Sequence, residues 1–331
     1  MRSAVTLQPV YPPAEFRRIS AEIEDLGFDE LWLTDSSLHA RNCYAYLTLA
    51  AMATSRIALG TAVTNPLTRH PAVGASAIAA VDEISGGRAR YGIGVGDRPL
   101  ESLGLRPAKL ATLEDAVSVS RRLWRGDDVT CAAEGFRLEQ AHMKFPPAAP
   151  IPVYLSASGP RTLELAGRIA DGVIILAGLH PDGIRYALQH IDRGVEQAGR
   201  GERPTINVFA YGQISEDTES ALQAARTIAA WFPQTAPVYC ELAGLPRSLV
   251  EQVRSTYTGG EFQEAQAAAA LLPDDFVRRM ALAGNRSDAV AHIRTLAAVG
   301  VDTLTVFPIG GDQPSRIATI GAFAEAMREA G

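Results

Sequence analysis

Cysteine is scarce in this sequence. The 331 residues include three, Cys43, Cys131 and Cys240, far apart and without CxxC or Cys/His metal-ligand spacing. That excludes a disulfide framework and argues against a structural zinc site. Positive charge is not in excess either. The net charge is −6, spread along the chain, whereas a nucleic-acid-binding domain presents a basic stripe. No apolar run approaches the roughly 20 residues that span a bilayer. The opening MRSAVTLQPVYPP lacks the hydrophobic stretch of a secretory signal. A soluble, cytoplasmic protein with neither nucleic-acid nor membrane partner is therefore expected. The signatures GxSxG, HExxH and GxxxxGK[ST] are absent. GIGVG at 92–96 matches only part of a dinucleotide loop, because Asp97 follows at once and the later glycine is missing.

What the chain does have is apolar residues, 47% against 21% charged, enough to bury a large core. Their spacing is most informative over residues 57–97. Ile57, Leu59, Thr61 and Val63 alternate as in a strand. Pro71 to Ile84 carries Val73, Ala77, Ile78, Val81 and Ile84 at helical spacing, and Gly86-Gly87 stops it. Ala89 to Ile93 is a second strand, followed by Gly94-Val95-Gly96-Asp97. Strand, helix and strand with short connections form a βαβ unit with parallel strands.

The rhythm extends both ways. Ala4 to Leu7, Glu30 to Thr34, Pro152 to Leu155, Gly172 to Leu176, Ile206 to Ile214 and Asp302 to Phe307 read as further strands. Helices are expected at Ala14–Leu26, Tyr44–Met52, Leu110–Trp124, Arg161–Ile169, 181–198, Ser287–Val299 (capped by Ser287) and Pro314–Glu329. Residues 126–150 read as a hairpin insertion around Glu134-Gly135, and residues 216–283 as a helical insertion. Eight strands alternating with helices predict an α/β fold, a (β/α)8 TIM barrel, within a single domain of residues 1–331. A doubly wound open sheet is the competing topology.

Site residues of such a barrel lie where its strands end. Asp35 follows the second strand and Asp97 the fourth; two carboxylates on one face can share a site, although an Asp after a strand is also a common N-cap. Ser156-Ala157-Ser158-Gly159-Pro160 joins a strand to a helix. Small residues at a helix start suit a phosphate, and equally an ordinary N-cap.

The segments GFDELWLTD, GTAVTNP, PAVGASAIAAVDEISGGRARYGIGVGD, YLSASGPRTLELAGRIADGVI and VGVDTLTVFPIG resemble the bacterial-luciferase-like superfamily. Within it they are most similar to the methylenetetrahydromethanopterin reductase that uses the deazaflavin coenzyme F420. The resemblance implies a barrel holding a flavin-type ring where the strands end, and a non-prolyl cis peptide at Ala62–Val63. It implies cofactor contacts from Ser36, Ala62, Val63, Thr64, Asn65 and Gly96, with the phosphate cradled by Ser156, Ala157, Ser158, Gly159, Pro160 and Arg161. Asp35, Asp97 and Gln8 become the polar groups near the reacting carbon. Two departures stand out. The family's Thr-Asp-His is Thr34-Asp35-Ser36 here, and the reductase's acid at the end of strand one is replaced by Thr6. A methylenepterin substrate then lacks its proton donor, which implies a different small-molecule substrate.

The expected function is an F420 (8-hydroxy-5-deazaflavin) oxidoreductase without a metal, assembled as a homodimer or higher homo-oligomer. The alternatives are an FMN-dependent monooxygenase of the same superfamily and a flavin-binding protein that has lost catalysis.

Overall fold

The computed structural model describes residues 1–258 and 262–331. Its strands are β1 (Arg2–Leu7), β2 (Glu30–Leu33), β3 (Ala58–Thr61), β4 (Ala89–Ile93), β5 (Val129–Ala133), β6 (Phe136–Ala141), β7 (Val153–Ala157), β8 (Gly172–Ile175), β9 (Thr205–Ile214), β10 (Leu282–Gly284) and β11 (Thr303–Pro308). Eight of them pair in parallel in the order β1-β2-β3-β4-β7-β8-β9-β11, and β11 pairs with β1, so the sheet closes on itself. This is the expected TIM barrel and not an open sheet. β5 and β6 form the antiparallel hairpin expected between β4 and β7.

Alternation along each strand sorts the side chains into two cores. Outward residues such as Val5, Leu31, Leu59 and Val153 join one large apolar cluster with the surrounding helices. Inward residues Ala4, Trp32, Tyr154 and Ile174 form a second, small cluster inside the barrel. Glycine makes room for the two large rings. A Cβ on Gly60 would stand 2.3 Å from the Trp32 ring, and one on Gly172 would stand 2.1 Å from the Tyr154 ring. The rings meet edge to face at 5.0 Å between centroids. Each removes on the order of 200 Å² from water, about 5 kcal/mol at ~25 cal/mol/Å². The barrel is thereby plugged at mid-height, which separates the deep cavity where the strands terminate from the open depression where they begin.

At the opposite end one carboxylate organises the chain. Glu24, in the last turn of the helix Pro13–Asp25, accepts backbone N–H bonds from Ser55 (2.9 Å), Arg56 (2.6 Å) and Ile57 (2.9 Å) just before β3 begins. Burial pushes its pKa up, but these N–H donors outweigh it and hold the group at about 2.

Several local expectations are corrected. The helix Arg286–Ala298 is capped by Asn285, not Ser287: Asn285 Oδ1 accepts from Asp288 N at 3.1 Å and Asp288 Oδ2 accepts from Asn285 N at 2.9 Å. That reciprocal pair satisfies two otherwise orphaned donors, which Ser287 inside the helix cannot do. β10, absent from the sequence reading, pairs with Gly212–Ile214 at the far end of β9. A short helix, Arg98–Glu101, follows Asp97 directly. The insertion at 216–283 is helical as expected, with Thr218–Ala229, Phe232–Thr235, Pro237–Leu242, Arg247–Thr256 and Asp274–Met280 among its helices. Residues 259–261 within it lie outside the described residues. Among the described residues no helix is long and apolar enough to cross a membrane.

Candidate active site

A cavity of about 830 Å³ opens where the barrel strands end. Its walls come from the ends of β1, β2, β3, β4, β7, β8, β9 and β11 and from the helical insertion. Gln8, Asp35, Ser36, Ala62, Val63, Asn65, Gly96, Asp97 and the run Ser156–Gly159 all line it. Thr64 stands behind that wall, buried, while Pro160 and Arg161 are exposed at the helix start and off the wall.

The segment after β3 holds the Ala62–Val63 peptide in the cis form. Thr64 then rejoins the sheet: its N–H donates to the Gly92 carbonyl at 3.0 Å and its own carbonyl accepts from Gly94 N at 2.9 Å. The Thr64 hydroxyl donates to Asp35 Oδ2 at 2.8 Å. Asn65 spends its side chain on the next turn, accepting from Leu67 N (3.1 Å) and Thr68 N (2.8 Å) and donating to Thr68 Oγ1 (2.8 Å). It shapes the wall by fixing the chain.

Asp35 is 4% exposed and is gripped from the same loop by Arg69. Arg69 Nε donates to Oδ2 at 2.6 Å and Nη2 to Oδ1 at 2.9 Å, a two-pronged carboxylate–guanidinium contact. The guanidinium also lies 4.8 Å from the centre of the Tyr44 ring. The hydrogen bonds to Asp35 raise the Arg69 pKa further, so its charge is permanent. Asp35 is thus matched by a fixed cation and by Thr64. It can orient and polarise what lies beside it. Asp97, by contrast, is exposed at the cavity edge.

The loop after β7 has the features that suit an anion. Gly159 precedes the helix Pro160–Ile169 with no side chain capping that start. A Cβ on Gly159 would meet nothing within 4 Å, so the backbone faces open space. The loop is pinned from behind: Tyr239, from the helical insertion, donates its hydroxyl to the Ser158 carbonyl at 2.7 Å, and Ser158 Oγ donates to the Leu176 carbonyl at 3.2 Å. Uncapped N–H groups and the helix dipole together favour negative charge here.

Other contributors did not emerge from the sequence. Phe209 and Tyr211 of β9 and Phe307 of β11 form an aromatic wall, with centroid separations of 5.2 to 5.9 Å. Inward alternation along these strands is the signal that marks them. Trp231, in the turn between the helices Thr218–Ala229 and Phe232–Thr235, and Arg316, in the helix Gln313–Ala330, also line the cavity, and no motif announces them. The hydroxyls of Thr6 and Thr34 are buried and make no hydrogen bond in the structure. Among the described residues no group of three or more His, Cys, Asp or Glu side chains is arranged to hold a metal ion.

The family model for luciferase-like monooxygenases matches residues 2–303. The chain is 36% identical over 308 residues to 5,10-methylenetetrahydromethanopterin reductase of Archaeoglobus fulgidus, covering 90% of this chain and 91% of that one. To the enzyme of the same name from Methanolobus tindarius it is 32% identical, over 96% of both chains. The solved structure of the coenzyme F420-dependent tetrahydromethanopterin reductase from Methanopyrus kandleri superposes with a TM-score of 0.86 at 27% identity, covering 100% of this chain and 99% of that one.

Proposed function

The chain belongs to the luciferase-like monooxygenase family, and from that premise we propose that it is an oxidoreductase using the deazaflavin F420 to exchange a hydride with a small organic substrate. The observation that carries this reading is the Ser156–Gly159 loop. It combines an uncapped helix start, small residues and open space on the wall of the strand-end cavity. That arrangement fits a cofactor phosphate. Ala62, Val63, Gly96 and Ser36 would border the ring, and Asp35 would orient it through a carboxylate already fixed by Arg69.

A deazaflavin carries carbon where a flavin carries N5, so it supplies two-electron hydride chemistry and activates oxygen poorly. Two features favour it over FMN. Reductases bearing the same name are related over nine-tenths or more of the chain. In addition, Ser36 stands where the family's Thr-Asp-His carries its histidine, so an imidazole that could manage oxygen-derived protons is missing from that position. The substrate differs from a methylenepterin on this reading. Thr6, one residue before the end of β1, lines the cavity and carries a hydroxyl where that reaction needs an acid.

The Gly159→Val variant tests the loop. Since a Cβ there meets no protein atom, the fold should keep its Tm while the added side chain crowds the ligand. The Kd for F420 is expected to rise at least tenfold, about 1.4 kcal/mol. Unchanged affinity in a folded variant would place the phosphate elsewhere.

A further inference from the structure

Two buried hydroxyls in the cavity wall have no protein partner. Thr6 and Thr34 both line the cavity, and both Oγ1 atoms are shielded from solvent and unbonded. A native protein rarely leaves such groups orphaned unless something else satisfies them. Their strands are neighbours: Thr6 pairs in register with Trp32, and the Thr34 N–H donates to the Leu7 carbonyl at 3.1 Å. Ala4 and Trp32, each two residues earlier, belong to the cluster inside the barrel, so the two threonines share the inward face just above the plug.

Position around the barrel tells what they face. The cis segment after β3, the Gly94–Asp97 turn after β4 and the loop after β7 occupy one arc of the rim. The aromatic wall of Phe209, Tyr211 and Phe307 on β9 and β11 occupies the opposite arc. β1 and β2 join the two arcs, and Thr6 and Thr34 stand at that seam. Charge is sparse around them. Among the described residues the cavity wall holds two side chains able to carry positive charge, His39 and Arg316, and neither stands on a barrel strand. Asp35 beside them is already matched by Arg69.

We infer that Thr6 and Thr34 form the docking site for a hydroxyl or carbonyl oxygen of an uncharged organic substrate whose apolar body lies on the Phe209–Tyr211–Phe307 wall. The inference rests on the proposed function, since the first arc is left to the cofactor. A hydroxyl can donate to a carbonyl and accept from an alcohol, so one pair serves both redox states of such a substrate. A carboxylate or phosphate on the substrate would find no fixed cation at this depth and would be bound poorly.

The test uses acetophenone as a neutral carbonyl probe and benzoate as its charged counterpart, titrated calorimetrically into the F420-loaded protein. Acetophenone is expected to bind at least tenfold more tightly than benzoate. Thr6→Val and Thr34→Val should each weaken acetophenone at least fivefold while leaving F420 affinity unchanged. The Tm of the ligand-free variants should equal or exceed that of the wild type, because valine removes an orphaned hydroxyl without changing the shape. A lowered Tm would mean that the hydroxyls serve the fold, and weakened F420 binding that they serve the cofactor; either overturns the inference. So would benzoate binding as tightly as acetophenone, acetophenone failing to bind the loaded wild type, or variants indistinguishable from it; in these cases F420 binding stands unharmed. A wild type that does not bind F420 at all refutes the cofactor reading and this inference with it.

Discussion

Asp35 and Arg69 meet from two loops 34 positions apart in sequence, and their contact fixes a buried carboxylate on the cavity wall. Its side chain is 2% exposed and that of the arginine 18%. Removing the cation leaves a charge with no water and no counter-ion. Arg69→Met should therefore cost about 3–5 kcal/mol of stability, read as a lowered urea midpoint with an unchanged slope. A loss below about 1 kcal/mol would mean that Asp35 is solvated or otherwise paired. Asp35 itself was legible, because a carboxylate directly after a strand points to the site end of a barrel. Arg69 was not, since nothing in Leu67-Thr68-Arg69-His70 says which of many arginines turns inward. Arg161 shows the converse. It follows the small-residue loop as a phosphate ligand would, yet it stands exposed and off the cavity wall.

Between elements, the join of the first helix to β3 depends on Glu24, whose carboxylate holds three consecutive backbone N–H groups. The folded pKa of about 2 lies below the ordinary 4.5. A depressed carboxylate pKa contributes stability that is complete above the unfolded value and is lost as pH falls toward the folded one. Glu24→Gln should therefore be less stable than wild type at pH 7, by about 2 kcal/mol. The gap should shrink by more than half at pH 3, in paired urea titrations. A gap independent of pH would show that the charge contributes nothing. The strands and helices of the barrel were readable because each follows a period, two or 3.6, set by which face it buries. β10 was not readable: three residues, Leu282–Gly284, are too few to show a period, and their partner is the overhanging end of β9. The aromatic wall went unread for a related reason. Alternation marks Phe209, Tyr211 and Phe307 as inward, but only the Trp32–Tyr154 plug decides that inward at this height means cavity and not core.

At the scale of the whole molecule, a barrel plugged at mid-height leaves a deep cavity at its strand ends. Short βα connections and the helical insertion complete its walls. Alternating strands and helices made that architecture legible, and the motifs around Ala62–Val63 and Ser156–Arg161 pointed to a flavin-type ring. Which ring it is depends on small differences around its reactive edge, which spacing and periodicity do not encode. The proposed function has the cavity built for a deazaflavin and a hydride, with Ser36 in place of an oxygen-handling imidazole. The most direct measurement is a pair of fluorescence titrations of the purified protein, one with F420 and one with FMN. F420 should bind with a Kd of about 1 μM or tighter and FMN at least tenfold more weakly, a difference of about 1.4 kcal/mol or more. FMN binding as tightly as F420, or more tightly, would contradict the deazaflavin account and favour an oxygen-activating flavoenzyme.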